Sequence, residues 1–253
     1  MPSRLRKRHT VVAALRRTVS AHAAAVADLL WPPVCPSCGS RAEDPPTLFC
    51  DACWERLRPL RPGRDAELHP GAPPVLAPFS VDALLIRMLS ASKYAGLREV
   101  GKRLCRTAAA RIAPAVPPDA VLIPVSLTPS KRRQRGFNQT EDYAAALAAV
   151  TPGTVRTGWL VRRRGGRALA GRSRSERDRA VRGAFGCASS FPGAEAGPLF
   201  LVDDVATTGS TAAACAEALA AAGNGAVGLI AIGRAFAVSA DAAAAGVPLA
   251  AKL

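Results

Sequence analysis

The stretch LFLVDDVATTGST, Leu199 to Thr211, constrains the fold more than any other part of the chain. An apolar run ends in two adjacent carboxylates, Asp203 and Asp204. A hydroxyl-rich loop follows, with Thr207, Thr208, Gly209, Ser210 and Thr211, and then an Ala-rich segment that reads as a helix over residues 211–222. A short apolar run of this kind suits a buried strand of a parallel sheet. Open α/β sheets bind ligands in the loops beyond the carboxyl ends of such strands. Because the loop enters a helix, its backbone N–H groups and the helix N-terminus form an anion cradle. Gly209 lets the backbone approach a phosphate with no Cβ in the way. The two acids then read as hydroxyl acceptors. A vicinal diol, such as the 2- and 3-hydroxyls of a ribose, can donate to adjacent carboxylates while its 5-phosphate sits in the loop. Capping of the helix or pairing with Arg is the plainer reading; it suits one acid better than two followed by T-T-G-x-T.

The rest of the chain supplies the partners for such a strand. AVLIPV, Ala120 to Val125, and AVGLIAIGRAF near residue 230 are further apolar runs of strand length, and TVRTGWLVRRR reads as one strand. From Phe79 the pattern turns helical, with Val81, Leu84, Leu85, Met88 and Leu89 on one face. A second helix follows over SKYAGLREVGKRLCRTAAARI, and a third runs from about Asn138 to Val150. Strands alternate with helices, so the fold class is α/β with a mostly parallel sheet flanked by helices.

Four cysteines set apart a small N-terminal module. Cys35 and Cys38, then Cys50 and Cys53, form two C-x-x-C pairs separated by eleven residues. Each pair turns two sulfurs the same way, and four thiolates close a structural Zn²⁺ site with no open position for chemistry. The intervening SRAEDPPTLF is too polar to form a core, so metal is the expected stabiliser. The resulting organisation is a basic N-terminal helix or tail (1–30), the four-cysteine zinc module (31–57), a Pro/Gly-rich linker (58–78) and the α/β domain (79–253). The scattered Cys105, Cys187 and Cys215, the odd total of seven and the absence of a signal peptide or membrane span point to a reduced cytoplasm.

A formal net charge of +15 calls for a polyanionic partner or ligand. With aromatics at 5%, a surface of stacking platforms for bases is not expected. Basic residues cluster at Arg4 to Arg17, in SKRRQRGFNQT and from Arg156 to Arg182, where ten Arg face only Glu176 and Asp178. That last stretch reads in three ways: as a clamp on phosphates, as a contact with a nucleic-acid backbone, or as a solvated loop. His9, His22 and His69 all precede the α/β domain, so imidazole base catalysis is not expected there, and no catalytic residue is assigned.

Taken together, CPSC and CDAC, VLIPVSLTPSKRRQRGFNQT, SERDRAVRGAF and LFLVDDVATTGST resemble the ComF family of competence-associated proteins, over roughly residues 31 to 235. The acidic pair and its loop are similar to the 5-phosphoribosyl-1-pyrophosphate (PRPP) motif of type I phosphoribosyltransferases. The resemblance implies that Asp203 and Asp204 hold ribose hydroxyls, and that Ala206, Thr207, Thr208, Gly209, Ser210 and Thr211 hold the 5-phosphate. It places the loop from Ser126 near pyrophosphate, with Lys131, Arg132, Arg133 and Arg135 as cations for the same anion, and Mg²⁺ accompanying PRPP if the protein is catalytic. Lys93-Tyr94 matches a family position for which the sequence offers no mechanism. The chain departs from the family pattern at Ser126, Ala170 and Ala180, where the family often has Pro, Gln and Asn. The implied function is PRPP or ribose 5-phosphate binding linked to DNA uptake. Within it stand a phosphoribosyltransferase of unknown acceptor, a non-catalytic single-stranded DNA-binding factor working with uptake proteins, and a nucleotide sensor.

Overall fold

The computed structural model describes residues 34–41, 48–60, 68–94, 97–163, 183–225 and 227–235. The expected helix or tail over 1–30 and most of the Arg-rich stretch, 164–182, lie outside the described residues. The chain divides into two units, Met1–Glu55 and Arg56–Leu253.

In the first unit two turns face each other. The Cys35 N–H bonds the Ser40 carbonyl at 2.7 Å, and the Gly39 N–H bonds the Cys35 carbonyl at 2.8 Å, closing a knuckle on the first cysteine pair. Helix α1 (Asp51–Glu55) begins inside the second pair. Phe49 is buried and meets Trp54 edge to face at 6.4 Å, and the Trp54 Nε1–H donates to the Phe49 carbonyl at 3.1 Å.

The second unit is built on six strands in one sheet, β1 (Val75–Leu76), β2 (Phe79–Ser80), β3 (Val121–Pro124), β4 (Thr154–Val155), β7 (Leu199–Ala206) and β8 (Val227–Arg234). The order is β1-β8-β7-β3-β4, with β2 also on β8, and every pairing is parallel. The expected α/β class with a mostly parallel sheet is what forms. Strands β5 (Leu160–Arg162) and β6 (Phe185–Cys187) make a separate antiparallel pair. The main helices are α2 (Ala83–Tyr94), α3 (Arg98–Ile112), α4 (Pro129–Arg135), α5 (Gln139–Ala148) and α6 (Ser210–Ala221).

Period-two alternation sorts the central strands into two faces. Leu199 and Leu201 pack with Ile123, Leu229, Ala231 and the α6 residues Ala212, Cys215 and Leu219. Leu122, Val202 and Ile230 point the other way and are fully buried; α5 lies against β7 and α3 against β8. Each buried Leu or Ile contributes about 1.5–3 kcal/mol. The apolar ends of β3 and β7 are thereby fixed, and their carboxyl ends carry the polar loops.

Three local readings change. The expected helix from Phe79 starts later, because Phe79–Ser80 pairs with Gly233–Arg234 of β8 and Asp82 Oδ1 accepts from the Leu85 N–H at 2.9 Å, opening α2 there. The single strand expected over TVRTGWLVRRR is two, β4 and β5, in different sheets, broken at Thr157–Gly158. The Pro/Gly-rich segment ends in sheet strand β1, and its His69 N–H bonds the Thr208 carbonyl at 2.8 Å.

Candidate functional site

The acidic pair lies near the carboxyl end of the central strand, which closes at Ala206, and it borders a cavity shared with the loop after β3. Val205 to Ala212 with Asp203 and Leu229 line a cavity of about 230 Å³. The loop has its shape because Gly209 is left-handed at φ 76° and forms the N-cap of α6 with no side-chain cap. Gly209 offers no side chain to cap α6, the Ser210 N–H donates to Thr208 Oγ1 at 3.4 Å, and the helix dipole adds positive character at this end. A Cβ on Gly209 would lie 2.7 Å from Ala72 Cβ, so the 68–72 segment also requires glycine there. Thr208 Oγ1 and Ser210 Oγ share a hydrogen bond at 2.7 Å, which orients both hydroxyls.

A second cavity, about 250 Å³, opens on the other side of the acids. It is lined by Asp203, Asp204 and Thr211 together with Lys93, Ser126, Lys131, Arg135 and Arg162. The two cavities share Asp203 and Thr211. The acids thus stand between a backbone cradle and a cation-lined space. A third cavity, about 440 Å³, adjoins the second through Ser126, Leu127 and Arg162.

Of the cations read from sequence, Lys131 and Arg135 reach the acid cavity. Arg132 instead lines the third cavity and pairs with Glu141 at 2.8 Å, while Arg133 is exposed and lines none of the three. The reason is helical phase: α4 is short, with Pro129 at its start and Thr128 Oγ1 accepting the Lys131 N–H, so its four basic residues fan around the axis. The RGFNQT element acts as a brace. Asn138 Nδ2 and Thr140 Oγ1 both donate to the Val125 carbonyl, at 3.3 and 2.9 Å, and hold the loop after β3 against the start of α5.

Two site residues went unassigned in the sequence reading. Lys93, from the end of α2, makes an ion pair with Asp204. Its signal was present only as an unexplained Lys-Tyr pair. Arg162, from β5, was one Arg among ten, and nothing local marked it. Gln139 lines the same cavity and is buried, and neither its Nε2 nor its Oε1 has a hydrogen-bond partner.

The acids differ in charge. Burial pushes the Asp203 carboxyl up to about 7, reinforced by the neighbouring Asp204 charge, against the Asp204 N–H that donates to Asp203 Oδ1 at 2.8 Å. Burial also pushes Asp204 up, but the Lys93 ammonium outweighs it and holds Asp204 below the usual carboxylate range. At neutral pH the pair therefore carries one firm charge and one that titrates nearby.

The metal centre is geometrically complete. The four cysteine sulfurs lie within 4.8 Å of one another, with Cys35 to Cys53 at 3.7 Å and Cys38 to Cys50 at 3.5 Å. Tetrahedral thiolates at about 2.3 Å from Zn²⁺ sit about 3.8 Å apart, so the set fits one structural ion. A hydrogen bond with Ser40 lowers the Cys38 thiol to about 6, which favours the thiolate that a metal needs, while burial raises Cys53 to about 12 without metal. None of the seven cysteines is in a disulfide. Among the described residues no helix is long and apolar enough to cross a membrane.

This is an α/β architecture carrying a four-cysteine zinc module. Residues 26–64 match the family model described as "Double zinc ribbon domain", and the match ends before β1. No curated protein matches the chain.

Proposed function

We propose that the α/β unit binds PRPP or a closely related ribose 5-phosphate, in the manner of the phosphoribosyltransferase-like ComF proteins it resembles, in a role linked to DNA uptake. One observation carries the reading: two adjacent carboxylates stand between two cavities that both suit anions, one a backbone cradle and one lined by cations. A ribose with phosphate groups at C5 and C1 has this distribution, with hydroxyls in the middle and an anion at each end. In this pose Asp203 and Asp204 accept the hydroxyls, the loop from Ala206 through Thr211 receives the 5-phosphate, and Ser126, Lys131 and Arg135 face the pyrophosphate.

The residues also fit Mg²⁺. Asp203 and Asp204 offer hard oxygens beside the proposed pyrophosphate, and among the described residues no ion pair engages Asp203. When bound, Mg²⁺ supplies charge neutralisation of the pyrophosphate. The chain's own contribution to transfer is electrostatic. In such a transfer an acceptor nucleophile would bond to C1 as the C1–O bond breaks and its electron pair leaves with pyrophosphate; Lys131 and Arg135 would stabilise that departing charge, and no protein nucleophile is required.

The zinc-ribbon match and the +15 net charge favour a second activity, contact with single-stranded DNA. Calorimetry separates the two. PRPP should bind in the presence of Mg²⁺, and single-stranded DNA affinity should fall with salt at about −0.7 per neutralised phosphate on logarithmic axes. Salt-dependent DNA binding with no PRPP binding would leave only the DNA-binding reading.

A further inference from the structure

The third cavity, about 440 Å³, takes no part in the ribose-phosphate pose, yet its volume is that of a small-molecule site. It forms because the chain turns at Gly158, left-handed at φ 86°, and carries β5 out of the sheet that holds β4. The space left over lies against the end of β3 and the start of α4. Pro124, Leu127, Pro129, Leu160 and Val161 give it apolar walls. Glu141, from the first turn of α5, supplies its carboxylate. Glu141 Oε1 accepts from Arg132 at 2.8 Å and from Asn138 Nδ2 at 3.4 Å. Its Oε2 accepts from Arg132 at 3.4 Å, and a carboxylate oxygen has a second lone pair to offer. The walls therefore suit a flat apolar ring, and the carboxylate suits an N–H donor on it.

The position of the cavity says what that ring is attached to. It meets the acid cavity at Ser126, Leu127 and Arg162, and it shares no residue with the cradle formed by Val205 to Ala212. At the junction Ser126 Oγ donates to the Leu160 carbonyl at 2.6 Å and ties the loop after β3 to β5. The cavity thus continues from the space assigned to the diphosphate, away from the 5-phosphate. The diphosphate of PRPP ends in a free phosphate and has nothing to place there. A ligand that fills both spaces carries a ring beyond a diphosphate.

We propose that the third cavity is a nucleoside subsite, and that the protein binds a nucleoside diphosphate whose base bears an exocyclic amine, such as ADP. The phosphates occupy the diphosphate space beside Lys131 and Arg135, the base lies among Leu127, Pro129, Leu160 and Val161, and its amine donates to Glu141. A nucleoside diphosphate and PRPP then exclude one another, because they share one diphosphate space. The inference rests on the diphosphate part of the reading above and adds a second ligand to it.

The test is calorimetry of the full-length chain with ADP, IDP, inorganic pyrophosphate and PRPP, each with Mg²⁺. IDP carries a carbonyl in place of the amine. Wild type should bind ADP roughly tenfold or more tighter than pyrophosphate and tighter than IDP, and ADP should compete with PRPP. Val161 lines the third cavity but not the acid cavity. Val161→Trp should fill the cavity, remove the advantage of ADP over pyrophosphate, and leave pyrophosphate and PRPP within about twofold. Glu141→Gln keeps an acceptor oxygen without the charge and should narrow the preference for ADP over IDP. Should Val161→Trp not fold by circular dichroism, Thr157→Trp at the exposed turn fills the same space and decides on the same ratios. ADP no tighter than pyrophosphate in a wild type that binds PRPP, or an ADP advantage that survives the filled cavity, overturns the assignment and leaves the reading of the ribose-phosphate site intact. If wild type binds neither PRPP nor pyrophosphate, that reading fails and the inference falls with it.

Discussion

Asp203 and Asp204 are adjacent in sequence but do not titrate alike, and the difference has a measurable consequence. Asp203 is raised from the usual 3.8 to about 7 by burial and by its neighbour's charge, whereas Lys93 keeps Asp204 ionised. Below about 7 Asp203 holds a proton and accepts a hydroxyl without charge assistance; above it the carboxylate accepts with full charge. PRPP affinity should therefore rise between about pH 6 and 8, and part of that rise should vanish in Asp203→Asn, whose side chain does not titrate. Calorimetry at several pH values checks this; identical slopes in both proteins would assign the whole effect to the ligand's own phosphates. Protein stability moves the opposite way. The folded state keeps the Asp203 proton after the unfolded chain has lost it, so this residue's contribution falls as pH rises from about 4 to 7. The acids and their loop were legible because they are contiguous. Lys93 and Arg162 were not, because the site takes them from α2 and β5, far away in the chain, and only the sheet order brings them together.

At the scale of elements, the phosphate cradle depends on how α6 begins. Gly209 supplies a left-handed residue and clears Ala72, two demands that no residue with a side chain meets together. Gly209→Ala should cost on the order of 1–3 kcal/mol of stability and weaken PRPP more than tenfold, read by thermal denaturation and calorimetry. Unchanged affinity would show that the loop does not hold the 5-phosphate. Most element types could be read from apolar periodicity, and the central strand was recognised nearly to its ends. The misreadings share a cause. Phe79 and Ser80 are apolar and small enough for a helix pattern, but β8 offers an open edge to pair with, and Asp82 is the true start signal for α2. In TVRTGWLVRRR residues of high β propensity stand on both sides of Gly158, whose left-handed turn with Thr157 sends the halves to different partners. Pairing partners are a tertiary property that local pattern does not encode. The brace made by Asn138 and Thr140 was visible only as a motif; the Val125 carbonyl it holds gives that motif a physical reason.

For the whole molecule, the chain combines a unit whose four cysteines are placed to bind one zinc ion with a unit that has its own apolar core. Elemental analysis should find close to one Zn²⁺ per chain. Cys50→Ser should lower that content and loosen the cysteine module, while the α/β unit keeps its cooperative melt; loss of both melts together would show that the units do not fold independently. The central claim concerns the ribose-phosphate site, and the double variant Asp203→Asn, Asp204→Asn tests it most directly. Each carboxylate is assigned a charge-assisted hydrogen bond from a ribose hydroxyl, of roughly 1.5–3 kcal/mol. Asparagine keeps one acceptor oxygen but loses the charge and adds a donor. The change should therefore cost on the order of 3 kcal/mol in PRPP binding, about a hundredfold in affinity, with the fold intact by circular dichroism. Single-stranded DNA binding should hold or strengthen, since negative charge leaves a basic surface. Equal PRPP affinity in wild type and in the folded double variant would show that these acids do not hold a ribose.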